Sequence, residues 1–209
     1  PEDEFADFER WDKGNLDGSA PKEDWMFKYE YGRSALETGL ELEASLGVNP
    51  YEMGFNGSSD AHTGLASTGE ENFFGKMASS EPSPNRFDGE VIRAVDPALR
   101  IVKSQESASG LTGVWARQNT RDEVFDALTR KEIYATTGTR MRMRMFASWN
   151  FTADDLAAPD LSRTGYGRGV PMGADLTGSG RAPTMLIEAM RDPDGANLDR
   201  IQIVKGWVG

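Results

Sequence analysis

The sequence has no cysteine and only one histidine in 209 residues. The missing cysteines exclude disulfides, thiolate metal ligands and a cysteine nucleophile. Neither a Gly-x-Ser-x-Gly motif nor a glycine-rich phosphate loop is present, so the sequence does not support a serine hydrolase, a P-loop protein or a Rossmann protein. Absence of disulfides fits a reducing cytoplasm and does not exclude a periplasm.

Long apolar runs and positive net charge are also missing. No run of 18 apolar residues occurs, so we expect no membrane-spanning helix and no membrane partner. The net charge is −11, whereas a nucleic-acid-binding protein needs a basic face over the phosphates, so we expect no nucleic-acid partner. Residues 1–60 hold 15 acidic and 5 basic side chains, so the acidic excess lies in the N-terminal third.

The single histidine belongs to an Asp-x-His pair, Asp60 and His62, in a stretch rich in Gly, Ser and Thr. Residues 53–57 before it are short, partly apolar and bounded by turn residues, which predicts a buried strand that leads the pair into a loop. A carboxylate oxygen and an imidazole nitrogen together suit Zn²⁺, Mn²⁺ or Fe. The alternative is an aspartate that caps a turn beside a hydrogen-bonded histidine. Two ligands do not complete a catalytic site, since catalytic zinc normally has three protein ligands.

Two further groups are candidates for the chemistry. Glu70 and Glu71 follow His62 by eight and nine residues, and a carboxylate there would accept a proton from a metal-bound water or orient His62. Their alternative is solvation, or a pair with Lys76 or an arginine. Arg140 ends a turn of hydroxyl and small residues that suits an anionic, for example phosphorylated, substrate. Its alternative is a structural pair with a carboxylate.

Several segments have clear local patterns. Residues 24–46 have a helical pattern that Gly32 weakens and Gly47 ends. Residues 111–116 predict a strand, and Thr120 with Glu123 forms a capping box that begins a helix. Further patterns predict a turn over residues 134–140, a strand over 140–145 with Met on its packing face and Arg on the other, and strands over 184–190 and 200–207 joined by a turn. Residues 63–112 are mostly irregular, with patches of order over 91–102, and serve either as a lid or as a surface insertion.

Four motifs together resemble one known family. Residues 57–64, 70–76, 109–116 and 135–140 are similar to the bacterial family called domain of unknown function 3604, which is related to the PHP (polymerase and histidinol phosphatase) metallohydrolases. That resemblance implies a distorted β/α barrel with divalent metals at the carboxyl ends of its strands. Asp60 and His62 match the last Asp-x-His ligand motif of such enzymes, while their earlier His-x-His motif has no counterpart here.

The resemblance predicts an α/β fold, or α+β as a fragment. Residues 1–151 are expected to be the C-terminal portion of a PHP-like barrel, residues 152–183 an irregular linker, and residues 184–209 the start of a small antiparallel β-domain. An incomplete barrel has an exposed sheet edge, so the chain is expected to re-associate, form homo-oligomers or rearrange.

The expected function follows from the same resemblance. The chain is a fragment of a metal-dependent hydrolase in which metal-activated water attacks a phosphoester or similar ester of a small molecule. Asp60 and His62 would be ligands, Arg140 an anion clamp, and Glu70 and Glu71 proton-transfer or orienting groups. By itself the chain is expected to be inactive, with its metal absent or only partly bound. The alternative is a non-catalytic module for structure, ligand binding or oligomerisation.

Overall fold

The computed structural model describes residues 12–64, 74–106, 110–178 and 180–209. These residues form two compact units. Unit 1 takes its described residues from 1–52, 59–110 and 202–209, and unit 2 takes its own from 53–58 and 111–201. The chain therefore passes from unit 2 into unit 1 between Ser58 and Ser59, directly before Asp60.

Unit 1 consists of short elements joined by turns. Its helices are α1, Asp24–Phe27, and α2, Gly32–Leu46. Its strands, β1 (Glu90–Ile92) and β2 (Ile101–Val102), pair in antiparallel fashion. Three short 3-10 helices complete it: Ala78–Ser80, Pro97–Leu99 and Lys103–Glu106.

The prediction for residues 24–46 is confirmed, including the break near Gly32 and the end at Gly47. Gly47 has a φ of 75°, in the left-handed region that glycine adopts without steric cost, and its N–H donates to the Glu43 carbonyl at 2.8 Å. The apolar face is less buried than its spacing suggests, because Leu36 and Leu46 are both exposed. The helix makes a close contact at the buried Gly39, where the Asn49 amide occupies the place that a Cβ would take.

Charged groups occupy much of the interior of unit 1. Its buried apolar side chains include Ala94, Leu99 and Ile101. Lys103 is also buried and forms an ion pair with Glu81, whose side chain is completely inaccessible to solvent. Paired charges thus lie in an interior that contains few large apolar side chains.

Unit 2 contains two antiparallel sheets and two longer helices. Its elements, in chain order, are β3 (Leu111–Val114), α3 (Arg121–Thr129), β4 (Ile133–Thr136), β5 (Arg142–Ser148), α4 (Leu161–Arg168), β6 (Val170–Pro171) and β7 (Thr184–Met190), with a 3-10 helix over Ala153–Ala157. Strands β3 and β4 form one pair, and the other sheet has the order β6-β5-β7.

Half of the predicted capping box at the start of α3 is present, because the Thr120 backbone N–H donates to the Gln118 carbonyl and not to the Glu123 side chain. The Thr120 hydroxyl accepts the Glu123 N–H at 3.4 Å, and the helix begins at Arg121. The strand predicted over residues 111–116 is confirmed over residues 111–114 as β3. Residues 134–136, which the small side chains predict as a turn, instead pair with β3 as part of β4. The turn comes later, around Gly138.

The strand predicted over residues 53–57 does not form. Thr112 takes the place of a strand partner: its hydroxyl donates to the Gly57 carbonyl at 2.7 Å and lies 3.0 Å from the Gly57 nitrogen. A single side chain therefore satisfies backbone groups that a neighbouring strand would otherwise bind. The segment passes so close to the end of the β3–β4 pair that a Cβ at position 57 would lie 2.5 Å from the Leu111 carbonyl oxygen.

Strand β5 alternates as predicted, but its packing face is the opposite one. Phe146 is fully buried and Ser148 almost so, and both share a face with Arg144. Met143, on the face predicted to pack, is 40% exposed. The reason is α4, in which Gly165 has no side chain and lets the Phe146 ring lie directly on the helix backbone. Phe146, Phe151 and Leu186 form the core cluster of the unit.

The C-terminal segment follows the prediction only in part. Residues 184–190 form β7, and the Asp192 carboxylate accepts the Asp194 N–H at 3.0 Å in the predicted turn. Residues 200–207 form no strand and are exposed. Strand β7 binds β5 along its whole length, and no described segment pairs with its other edge.

The described residues are thus a mixture of helices and small antiparallel sheets, and they include no closed barrel. This arrangement is compatible with an α+β fold. Strands β3 and β4 flank a helix, as in a β/α barrel, yet they pair in antiparallel fashion. The range 152–183, predicted to be irregular, contains α4 and β6. None of the helices in the described ranges has the length and apolar character needed to cross a membrane.

Two glycines of α4 test the packing of Phe146. A Cβ at Gly165 would lie 2.4 Å from the Phe146 ring, whereas a Cβ at Gly167 would have no atom within 4 Å. We expect Gly165→Ala to lower the free energy of unfolding by about 1–3 kcal/mol through overpacking. Gly167→Ala, the matched control, should raise it by about 0.4–1 kcal/mol because it restricts the unfolded chain. Urea unfolding of both variants measures this, and equal effects would contradict the packing described.

Candidate functional site

Asp60 and His62 form a compact polar cluster in unit 1 together with Lys76. One Asp60 carboxylate oxygen, Oδ1, lies 3.1 Å from His62 Nε2. The other, Oδ2, accepts a hydrogen bond from Lys76 Nζ at 2.9 Å. The carboxylate therefore bridges an imidazole and an ammonium group.

The backbone places these three side chains. Asp60 has a φ of 47°, in the left-handed region, which aspartate tolerates better than most residues. His62 forms a parallel bridge with Met77: its N–H donates to the Lys76 carbonyl at 2.9 Å, and its carbonyl accepts the Ala78 N–H at 3.2 Å. The bend at Asp60 and this bridge bring residues 16 positions apart into contact.

One side of the cluster is buried and the other is open. Lys76 is 2% exposed, whereas the side chains of His62 and Asp60 are 53% and 59% exposed. The hydrogen bond from Lys76 is the main cause that holds the pKa of Asp60 below its usual value, and the hydrogen bond from His62 is the next. Asp60 is therefore an anion at neutral pH on a side chain that is more than half exposed, with Oδ1 beside the imidazole.

The donor types suit a divalent metal, but their number falls short. Two atoms 3.1 Å apart can both reach one ion at the usual ligand distances of about 2.0–2.2 Å. Across the described ranges, however, no group of three or more His, Cys, Asp or Glu side chains could hold a metal. The described residues therefore supply a pair of ligands and not a complete centre.

The other predicted site residues are placed elsewhere. Glu70 and Glu71 lie outside the described residues. Arg140 belongs to unit 2, is exposed, and donates its backbone N–H to Asp192 Oδ2 at 2.6 Å. This hydrogen bond is the main cause of a lowered pKa at Asp192. The structure thus brings Asp60 and His62 together as predicted and leaves the roles of Glu70, Glu71 and Arg140 as predictions.

Lys76 is the member of the cluster that sequence reasoning did not identify. In the sequence it ends a charged and aromatic segment, where Glu70 and Glu71 are nearer partners. Its contact with Asp60 depends on the parallel bridge at His62, and single isolated bridges have no sequence signature.

Comparison with known proteins identifies one family. The family model described as "Protein of unknown function (DUF3604)" matches residues 1–209. Neither the curated proteins nor the solved structures yield a match.

The contact between Asp60 and Lys76 predicts a pH-dependent stability. A lowered pKa in the folded state means that the ionised carboxylate stabilises the fold above the ordinary value of 3.8, and that this contribution disappears as the pH falls through the folded-state pKa. Asp60→Asn keeps a residue that tolerates positive φ and removes the charge. We expect it to lower the free energy of unfolding at pH 7 by at least about 1 kcal/mol, because the buried Lys76 ammonium loses its opposing charge.

Urea unfolding of wild type and Asp60→Asn from pH 7 to pH 3 measures this difference. The gap between the two proteins should be constant near neutral pH and close below pH 3.8. Asp88→Asn is the control, because Asp88 is exposed in the same unit and has no hydrogen bond or ion pair with a described residue. A gap that does not change with pH would show that the Asp60 charge does not stabilise the fold.

Proposed function

We propose a function for this chain, which belongs to the DUF3604 family: Asp60 and His62 supply one side of a divalent-metal site in a hydrolase of phosphoesters or similar esters. The observation that carries the proposal is their geometry. A carboxylate oxygen and an imidazole nitrogen lie 3.1 Å apart on two side chains that are more than half exposed, and Asp60 has a left-handed backbone conformation. Backbone conformations of this kind are concentrated at functional sites.

Each residue of the cluster has a distinct part in this proposal. Lys76 keeps Asp60 ionised and holds the Oδ2 side of its carboxylate, which leaves Oδ1 beside His62 Nε2. The backbone bridge at His62 fixes the position from which the imidazole acts. A metal bound by these two atoms would supply an activated water for ester hydrolysis.

The remaining ligands are proposed to lie outside the described residues. Glu70 and Glu71 are candidates for the chemistry because they follow shortly after His62. They would either orient His62 or accept a proton from a metal-bound water. Arg140 is the proposed anion clamp. A kinship with PHP-type barrels is part of this proposal, because Asp-x-His at a loop is the last ligand motif of those enzymes.

One observation favours a second candidate, a non-catalytic structural or ligand-binding module. The described residues include no third metal-binding group beside Asp60 and His62, and an ammonium group already neutralises Asp60. In this alternative the cluster serves only to hold residues 60–62 against residues 76–78.

Metal titration separates the two candidates. We expect the protein to bind Zn²⁺ or Mn²⁺ weakly in isothermal titration calorimetry, as an incomplete ligand set does, and His62→Ala to weaken this binding by at least about tenfold because a direct ligand is lost. Asp88→Asn, which removes one exposed charge from the same unit, should leave the affinity unchanged. Equal affinities of wild type and His62→Ala would refute the metal site and leave the second candidate.

Hydrolysis is tested separately with p-nitrophenyl phosphate in the presence of added Mn²⁺ or Zn²⁺. Turnover that His62→Ala abolishes and Asp88→Asn retains would support the hydrolase. Metal binding at His62 without turnover on phosphoesters or carboxylic esters would keep the metal site, match the inactivity expected of this chain by itself, and leave the proposed reaction without support.

A further inference from the structure

Unit 2 contains a cavity that includes neither Asp60 nor His62. Its volume is about 610 Å³, within the range of about 300–1,000 Å³ that is usual for small-molecule sites. The side chains that matter for its chemistry are Trp115, Arg117, Arg130, Glu132, Arg144 and Tyr166.

Glu132, the one acidic side chain that lines the cavity, already has hydrogen-bond partners within the protein. Glu132 is 3% exposed, and its Oε2 accepts a hydrogen bond from Arg130 Nε at 3.2 Å. The Tyr166 hydroxyl donates to the other oxygen, Oε1. Burial, followed by the neighbouring Glu132 carboxylate, raises the pKa of Tyr166, so its hydroxyl remains a donor at neutral pH. Glu132 is thus neutralised by groups of the protein.

Arg144 is held by aromatic rings and not by a carboxylate. Its guanidinium carbon lies 3.9 Å from the centre of the Trp115 ring and 5.2 Å from that of Tyr166. Nη2 donates to the Tyr166 hydroxyl at 3.0 Å, and Nη1 donates to Ser162. No ion pair joins Arg144 to a carboxylate of the described residues. Cation–π contacts offset part of the cost of desolvating the guanidinium but leave its charge unneutralised.

A hydrogen bond within the protein holds the Trp115 ring in place. The Trp115 indole N–H donates to the Met143 carbonyl at 2.9 Å, which sets the plane of the ring against Arg144. Ala116 and Pro171 add further apolar surface beside it. A flat or apolar group that enters the cavity would therefore contact the Trp115 ring, with the positive charge of Arg144 beside it.

The charge of the cavity contrasts with that of the chain. Three guanidiniums and one carboxylate line it, so two positive charges remain once Arg130 and Glu132 are paired. Arg117 is exposed, and within the described part of the chain it has no ion pair or hydrogen bond. The protein as a whole has a net charge of −11. A concave positive site of this kind attracts anions in preference to cations.

From these observations we infer that the cavity of unit 2 binds a small organic anion. The carboxylate or phosphate group of the ligand lies between Arg144 and Arg117, and its apolar or aromatic body lies against Trp115. Arginine suits both head groups because its planar fork donates two parallel hydrogen bonds. This inference depends on unit 2 alone, and its test is independent of the metal site proposed in unit 1.

Calorimetric titration at low salt tests it, with phenyl phosphate and benzoate as probes and benzyl alcohol as the neutral analogue. We expect saturable binding of at least one anion and none of benzyl alcohol, and the comparison of the two anions identifies the head group. Inorganic phosphate should bind more weakly than phenyl phosphate, because it lacks the body that contacts Trp115.

A matched pair of variants and one further substitution test whether the anion binds in this cavity. Arg117→Gln removes a charge that lines the cavity, and we expect it to weaken binding about tenfold. Arg121→Gln removes a charge of α3 that is also exposed and does not line the cavity, and it should bind like wild type. Arg144→Lys keeps the charge and loses the fork, so it should also bind more weakly, with thermal unfolding as a check that it folds.

Failure of both anions to bind wild type saturably would overturn the inference. Equal affinities of Arg117→Gln and Arg121→Gln would do so as well, because binding would then not involve this cavity. Neither result bears on the titration of the protein with Zn²⁺ or Mn²⁺.

Discussion

The charge that this protein buries must be neutralised where it lies, and this requirement shapes both units. A buried ion is costly unless an opposite charge or several hydrogen bonds meet it. In unit 1 the ammonium of Lys76 meets Asp60, and that of Lys103 meets Glu81. In unit 2 the carboxylate of Glu132 meets Arg130 and the Tyr166 hydroxyl. These contacts fix the positions of short segments that bury few large apolar side chains.

The two candidate sites meet this requirement to different extents. The buried Lys76 keeps Asp60 ionised at the surface, with one carboxylate oxygen beside His62. Arg144 has no carboxylate among the described residues, and aromatic rings hold it instead. The first arrangement presents a negative group with an imidazole and suits a cation. The second presents a positive group with an apolar wall and suits an organic anion.

Local sequence signals predicted those elements whose determinants lie within a few residues. Gly47 ended α2 because its left-handed conformation closes the helix, and Thr120 began α3 because its hydroxyl caps the first turn. Alternation alone could not say which face of β5 packs. Methionine looked like the buried side, yet the absence of a side chain at Gly165, in a helix that follows later in the chain, placed Phe146 and Arg144 inward.

The sequence by itself determined which reactive side chains this protein has: one histidine, no thiol and an Asp-x-His pair. It also determined the family, whose model matches residues 1–209. It also determined that Asp60 and His62 lie close together, since two residues apart at a bend cannot separate far. Only the tertiary structure decided that Lys76 neutralises Asp60, and that Trp115, Glu132, Arg144 and Tyr166 surround one cavity. The physical reason is that these contacts join residues that are far apart in sequence. They depend on which backbone segments pair with each other, and no local pattern of side chains encodes that pairing.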